Sequence, residues 1–317
     1  MSRGSSFDKL RTSVVAQADP YEPLYFASSG VTLDRMRLRL GLAAIVSLGL
    51  IQPAFAQQRP LVTEDPETIG AGRILLEGGI DFEHDEQYPV TGLKGNLWRV
   101  PTVGISFGLS SIAELQIDGG LYNHLEIAAR NPLAPLASQV TATGSSTSDV
   151  EDFVVATKIR IVAETGHRPA VGMRFATKLP NASNESGLGT DTTDFLASIL
   201  AAKTVQSIRV VGNIGVGILT DPTLGSRQND VLTYGVSFAR ALTSAAEVVG
   251  ELNGRASTRS GGALPGTESR GLIKFGGRYT RGTIRFDAGM LFGLTTVDPT
   301  VGFTLGFTYV FNAFKVP

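Results

Sequence analysis

Charged side chains recur at two- and four-residue spacing inside stretches that are otherwise apolar. Arg270, Lys274 and Arg278 are four residues apart in RGLIKFGGRY, and Glu77 and Asp81 are four apart in ILLEGGID. In an extended chain such residues share one face, and fixed charges along a passage select solutes by their charge. We therefore predict a lumen lined by Glu77, Asp81, Asp118, Tyr122, Arg160, Arg174, Lys178, Arg209, Glu251, Arg270, Lys274, Arg278, Arg285 and Asp287.

The two signs of charge are not evenly spread along the chain. Glu77, Asp81 and Asp118 come early, whereas the basic candidates cluster later. In a closed barrel the first and last strands are neighbours, so an acid–base network across that seam is expected. Opposed charges would set a transverse field that favours polar or anionic aromatic solutes. The alternative is that these charges pair with one another and only keep the interior hydrated.

Catalytic and metal sites have little support in the sequence. The chain has no cysteine and three histidines, His84, His124 and His167, and it contains no Gly-x-Ser-x-Gly elbow. A Ser–His pair assembled in space around His124 would make the protein a barrel phospholipase, which remains an alternative. The acidic run 83–86 could hold a divalent cation, but such runs are usually solvated. We expect no enzyme, no metal and no cofactor. The net charge of −1 argues against a nucleic-acid partner.

The segments that carry the charges alternate apolar and polar residues, which predicts β-strands. In VGFTLGFTYVF, for example, Val301 and Phe303 oppose Gly302 and Thr304. A helix would need apolar residues three and four apart. About twelve such segments occur, of which DFLASILAA (194–202) is the weakest. They predict an all-β fold, a single antiparallel up-and-down transmembrane β-barrel of about twelve strands.

The connections between these segments alternate in length. Short links such as TVQS (204–207) and TRGT (280–283) alternate with longer polar ones, such as HDEQYPVTGLKG (84–95) and the Pro/Ser/Thr-rich stretch 129–150. Outer-membrane barrels have short periplasmic turns and longer outer loops. We expect the stretch 129–150 to fold inward as a constriction.

Alternation alone also fits a soluble β-sandwich or a lipocalin-like barrel with its apolar face inward. Two features favour the membrane barrel. Aromatic residues such as Phe82 and Tyr279 stand near strand ends, as in interfacial girdles. The last strand keeps apolar side chains at every second position up to Phe311, the pattern that we expect the barrel-assembly machinery to bind.

A complete export signal lies inside the chain rather than at its start. Residues 36–58 read MRLRLGLAAIVSLGLIQPAFAQQ, with an arginine-rich start, a short apolar run and an Ala-x-Ala site that predicts cleavage after Ala56. We therefore expect an untranslated or disordered extension (1–35), a signal peptide (36–56) and an outer-membrane β-barrel (57–317). Translation would begin at Met36 rather than Met1.

Two segments carry a resemblance to a known family. RPLVTEDPETIGAGRILLEGGIDF (59–82) and KLPNASNESGLGTDTTDF (178–195) resemble bacterial proteins grouped under the MetA pathway of phenol degradation, which are described as transporter-like. The resemblance extends more loosely over 59–311. Outer-membrane barrels commonly end on their last aromatic residue, but here Asn312 to Pro317 follow Phe311. Either Phe311 closes the last strand and a short tail follows, or Phe314 takes that place in a different register.

The resemblance implies an outer-membrane channel of a Gram-negative bacterium, for small solutes of the phenol type. Its partners would be outer-membrane lipid, the assembly machinery and the solutes themselves. The alternatives are a structural or adhesive outer-membrane protein with a closed lumen, or a barrel phospholipase.

Overall fold

The computed structural model describes residues 59–315. The predicted extension (1–35) and signal peptide (36–56) lie outside the described residues, so both stay predictions. No helix among the described residues is long and apolar enough to cross a membrane.

Extended backbone dominates this part of the chain, as the period-two pattern predicts. The fourteen strand segments are β1 (Arg73–Tyr88), β2 (Leu93–Gly108), β3 (Ala113–Gly120), β4 (Asn123–Arg130), β5 (Ser146–Asp149), β6 (Val154–Val162), β7 (Ala170–Lys178), β8 (Asp194–Val205), β9 (Ile208–Thr220), β10 (Gln228–Ala241), β11 (Ala246–Ser257), β12 (Arg270–Arg281), β13 (Ile284–Gly293) and β14 (Val301–Asn312).

The sheet closes because β1 pairs with both β2 and β14, antiparallel to each. β3 and β4 pair with successive halves of β2, so they form one wall strand with a short break. β5 and β6 do the same along β4 and β3. The wall therefore has twelve antiparallel strands, which confirms the predicted barrel. β8, the weakest prediction, is a full strand of 12 residues.

The apolar face of this wall points outward and the charged face points inward. Phe275 is 53% exposed and Ile214 is 56% exposed, whereas Lys158 and Glu114 are fully buried. Water-soluble proteins have the opposite arrangement, because charged side chains are almost never buried and large apolar ones usually are. The outer face is suited to lipid, which rules out the soluble sandwich and the lipocalin-like barrel.

The start of β1, the end of β14 and the short turns lie at one end of the barrel, which we take as the periplasmic end. At the tight turn after β12, Gly282 has a φ of +65°, in the left-handed region that most side chains disfavour. At the same end, Phe311 on β14 pairs with Ile74 on β1, one residue before β14 ends. The predicted role of Phe311 in assembly stays a prediction.

The first two strands differ from the sequence-based expectation. Residues 84–95 were expected to be a long loop, but β1 continues to Tyr88 and β2 begins at Leu93. This prediction was wrong because the outer ends of these strands stay paired beyond the apolar band, where polar residues replace the apolar ones.

The inward face also changes parity between β3 and β4. Gln116 and Gly120 are buried on β3, but Asn123 and Leu125 are buried on β4. The break between the two segments shifts the alternation by one residue, so Leu125 packs inward against Leu93 rather than facing lipid.

Candidate functional site

Residues 59–69, which precede β1, lie inside the barrel and cross its lumen; we name this segment the plug. Eleven of the twelve wall strands face it, as its contacts and close approaches show. It enters from the periplasmic end, where Ile69 donates its backbone N–H to Glu114 of β3 at 2.7 Å. The plug therefore decides how much of the lumen is open.

The first plug residue contacts four strands around the barrel seam, where β1 meets β14. The guanidinium of Arg59 donates to the hydroxyls of Thr102 on β2 at 3.0 Å and Thr304 on β14 at 2.8 Å. The carboxylates of Asp81 and Asp287 each lie 3.5 Å from the same group. A basic plug residue thus bridges acidic residues of β1 and β13.

The middle of the plug is held through its backbone. The carboxylate of Glu251 accepts the backbone N–H groups of Val62 and Thr63 at 2.9 to 3.0 Å. The Asn213 side chain accepts the N–H of Glu64 at 2.7 Å and donates to its carbonyl at 2.8 Å. These wall side chains satisfy backbone groups that no neighbouring strand reaches.

Acidic plug residues neutralise the basic part of the wall. Glu64 lies 3.4 Å from Lys158 and 3.1 Å from Arg174. Lys158 is fully buried, and its ammonium also contacts the carboxylate of Glu114 at 2.9 Å. A buried ammonium is costly without such partners. The carboxylate of Glu64 therefore helps to stabilise the charged form of Lys158 inside the barrel.

The next two acidic plug residues bind arginines near the periplasmic end. Asp65 accepts two hydrogen bonds from the guanidinium of Arg209, at 2.5 and 2.7 Å. Arg209 also donates to Glu164 in the turn after β6 at 2.7 Å. Glu67 pairs with Arg160. The fork-to-fork geometry of the first pair is the strong form of a charged hydrogen bond.

Thirteen of the fourteen predicted lumen residues lie on the inner face, and most of them already have partners there. Those that contact the plug are Asp81, Arg160, Arg174, Arg209, Glu251, Arg278 and Asp287. Those that contact or line other parts of the interior are Glu77, Asp118, Lys178, Arg270, Lys274 and Arg285.

Tyr122 does not line the lumen, so that prediction was wrong. It is half exposed in the break between β3 and β4, and its hydroxyl lies 3.0 Å from Oγ of Ser148. Its ring stacks on His124. The parity shift at the break places Tyr122 and His124 on the outer side, opposite the buried Asn123 and Leu125.

A cavity of about 410 Å³ remains between the plug and the wall. Seven carboxylates and four basic side chains line it. Acidic residues therefore outnumber basic ones around the cavity, although the inner face of the wall carries both signs of charge. The acidic residues are Glu64, Glu77, Asp81, Glu83, Asp118, Glu151 and Asp152, and the basic ones are Arg59, Arg99, Arg174 and Lys274.

Of the stretch 129–150, residues 146–149 form wall strand β5, and the loop before them reaches inward at Val140. Val140 packs on the cluster of Leu93, Leu97 and Leu125, and Leu188 of the following long loop joins it. The outer opening is therefore narrowed by an apolar contact between two loops and the inner wall.

The outer surface carries a serine–histidine pair that bears on the phospholipase alternative. Nδ1 of His124 lies 2.7 Å from Oγ of Ser148. Among the described residues, no carboxylate or amide group hydrogen-bonds the other ring nitrogen. A catalytic triad needs such a third group to fix the tautomer and orient the ring. The pair lacks this component of a hydrolytic site.

Sequence reasoning missed the plug and several inward charges. Arg99 on β2 contacts Glu83 at 2.5 Å and Glu151 at 3.1 Å, and none of these was singled out for the lumen. One signal was present. Three acidic residues, at 64, 65 and 67, stand before the first strand in a stretch without alternation, opposite an excess of basic wall residues.

Comparisons with known proteins give the fold. A solved outer membrane channel of the COG4313 group from Pseudomonas putida F1 superposes with a TM-score of 0.58 at 12% identity, over 78% of this chain and 98% of that one. The translocator domain of the autotransporter NalP from Neisseria meningitidis has a TM-score of 0.44 at 14% identity, covering 88% and 97% of the two chains. The NanC porin has a TM-score of 0.46 at 10% identity, covering 77% and 100%.

The first similarity shows a shared barrel fold, and the other two are too distant to carry an argument. No protein-family model matches the chain. No curated protein matches it either. The resemblance to the phenol-degradation group therefore stays a prediction.

Proposed function

We propose that this protein is an outer-membrane channel for small solutes, and that the plug sets both its conductance and its charge preference. The observation that carries the proposal is the neutralisation of the basic wall by Glu64, Asp65 and Glu67. With those pairs formed, the charged side chains that line the space left in the lumen are mainly carboxylates.

An acid-lined cavity changes the expected solutes. Carboxylates repel anions and accept hydrogen bonds from hydroxyl and ammonium groups. The plugged channel therefore favours cations and neutral donors, a class that includes phenols. The expectation of anionic aromatic solutes would hold only for a lumen without its plug, where four basic residues lose acidic partners: Lys158, Arg160, Arg174 and Arg209.

The polar interior supports a channel more than a purely structural barrel. The lumen cavity adjoins a second, outer cavity of about 260 Å³, because Asp152 lines both. A structural barrel of this size could fill its interior with packed side chains instead. The solute class is inferred from the charged residues that line the lumen cavity and from the sequence resemblance.

The test is ion selectivity in planar bilayers under a salt gradient, for the intact protein and for a variant lacking 59–69. We expect small cation-selective steps from the intact protein. The deletion variant should conduct more and shift its reversal potential toward anion selectivity, because the basic wall is uncovered. Phenol should reduce the current of the intact channel.

An unchanged reversal potential after the deletion would contradict the assigned role of the plug. Silent membranes from both proteins would support the closed structural barrel, provided that heat-modifiable gel mobility shows both to be folded.

A further inference from the structure

The plug passes from one wall strand to the next along the inner face of the barrel. Pro60 lies against β12 and β13, Thr63 against β10 and β11, and Pro66 against β7. Ile69 is held at β3. The wall strands stand in this same order round the barrel. Because residues 60–69 form no helix and pass from β12 to β3, the plug is an extended peptide laid along the inner wall.

The wall binds this peptide largely through its backbone. Nε of Arg278 donates to the carbonyl of the first plug residue at 2.7 Å. The carboxylate of Glu114 accepts the N–H of the last one at 2.7 Å. Glu251 and Asn213 bind backbone groups in the middle in the same way. Backbone groups are common to all peptides, so these four contacts select an extended chain rather than particular side chains.

Glycines of the wall leave room for the side chains of the plug. A Cβ at Gly79 or at Gly306 would collide with the guanidinium of Arg59. A Cβ at Gly235 would lie 2.8 Å from Oγ1 of Thr63, and its three nearest atoms would all belong to that side chain. The inner face is therefore shaped to the order of side-chain sizes in the plug.

The wall does not depend on the plug for its own closure or charge balance. β1 pairs with β2 and β14 through wall residues alone. Lys158 and Arg209 are both buried, and each keeps a wall partner besides the plug. Lys158 contacts Glu114 at 2.9 Å, and Arg209 contacts Glu164 at 2.7 Å. The plug can therefore leave the wall without stranding either buried cation.

We infer that the inner wall is a binding site for extended acidic peptides, and that the plug is its resident, exchangeable ligand. Wall side chains bind the peptide backbone, basic wall residues pair with its carboxylates, and wall glycines receive its larger side chains. A free peptide with acidic residues at the spacing of Glu64, Asp65 and Glu67 competes with the plug for this wall. Any effect of the exchange on flow rests on the proposed channel function, whereas the binding itself does not.

The test combines the variant lacking 59–69 with a synthetic peptide of the plug sequence, RPLVTEDPETI. Isothermal titration calorimetry in detergent solution measures the binding. We expect one peptide to bind per barrel. The peptide carrying Glu64→Gln, Asp65→Asn and Glu67→Gln should bind roughly tenfold more weakly or worse, because it loses the charged hydrogen bonds. A peptide of the same composition in scrambled order should be weakened in the same way.

A pair of wall variants tests the fit of side chains. In the barrel without its plug, Gly235→Val should weaken peptide binding by about tenfold or more, because its side chain takes the space of Thr63. Gly212→Val is the matched control on the neighbouring strand β9. A Cβ at Gly212 meets nothing within 4 Å among the described residues, so this variant should bind the peptide as before.

The full-length chain gives a second measurement that does not need the shortened chain to fold. Full-length Asp65→Ala has a weakened plug, because Asp65 accepts two hydrogen bonds from Arg209. The free peptide still carries its own aspartate, so it should bind this variant roughly tenfold more tightly, or better, than the unmodified full-length protein. Such a gain would show exchange between plug and peptide.

Four outcomes separate this inference from the channel function. Equal affinity of the acidic, uncharged and scrambled peptides would overturn the peptide site. Full-length Asp65→Ala that binds the peptide no better than the unmodified protein would overturn the exchange. Peptide binding together with silent planar bilayers would keep the site and remove the channel function. Currents without any peptide binding would remove the site and leave the channel.

Discussion

Removal of one plug carboxylate tests the gating role most directly. Asp65→Ala deletes the acceptor of two short hydrogen bonds from Arg209, and both side chains are more than nine-tenths buried. Breaking a buried ion pair by removing one partner costs about 3–5 kcal/mol. Because Glu164 still pairs with Arg209 in the variant, we take the lower end, about 3 kcal/mol. That corresponds to a change on the order of 100-fold in the ratio of seated to released plug.

The assay is single-channel recording, with the variant lacking 59–69 defining the unplugged conductance. We expect brief openings to that level, rare in the intact protein and on the order of 100 times more frequent in Asp65→Ala, by the ratio just derived. Asp85→Ala is the control, because Asp85 is partly exposed and its pair with Lys94 at 3.4 Å is a surface pair. Such pairs contribute about 0–1 kcal/mol.

Two results would refute this reasoning. If Asp65→Ala opens no more often than Asp85→Ala, the Arg209 pair does not hold the plug. If the deletion variant conducts no more than the intact protein, the plug is not the barrier to flow at all.

Three further predictions concern acid, lipid and packing. Burial raises the pKa of Glu164, but hydrogen bonds from Thr204 and Arg209 outweigh it and hold the pKa below its ordinary value. This stabilisation is present above the ordinary pKa of about 4.3 and is lost as the pH falls through the lower folded value. The free energy of unfolding should therefore fall in that acid range, and Glu164→Gln should flatten the fall in urea titrations. Phe275→Arg places a charge on the lipid face near the middle of β12. It should lower the free energy of unfolding in lipid by about 2–4 kcal/mol, whereas Phe314→Arg, beyond the last strand, should change it little; equal effects in urea titrations would argue against the assigned membrane face. Gly95→Ala would bring a Cβ to 1.9 Å from the carbonyl oxygen of residue 126, whereas a Cβ at Gly166 meets nothing within 4 Å. Only the first should reduce the folded fraction by heat-modifiable mobility, and a fully folded Gly95→Ala variant would contradict the close approach of these strands.

The charged faces of the strands could be predicted from the sequence because the two-residue periodicity of a strand depends only on neighbouring residues. Residues two apart share a face whatever the rest of the chain does, so Arg270, Lys274 and Arg278 could be grouped from spacing alone. The same locality explains the error at Tyr122. A single break in the alternation at residues 121–122 reverses every later residue of that strand, and spacing gives no sign of it.

About twelve alternating strands with charges on one face could be predicted from the sequence alone. The direction of the charged face became certain only in the folded barrel, because alternation is the same for a soluble core and for a lipid-facing wall. Only the tertiary structure placed the plug, since Asp65 and Arg209 are 144 residues apart. Their pairing depends on closure of the whole barrel, which brings distant residues together through many strand contacts that no local pattern encodes.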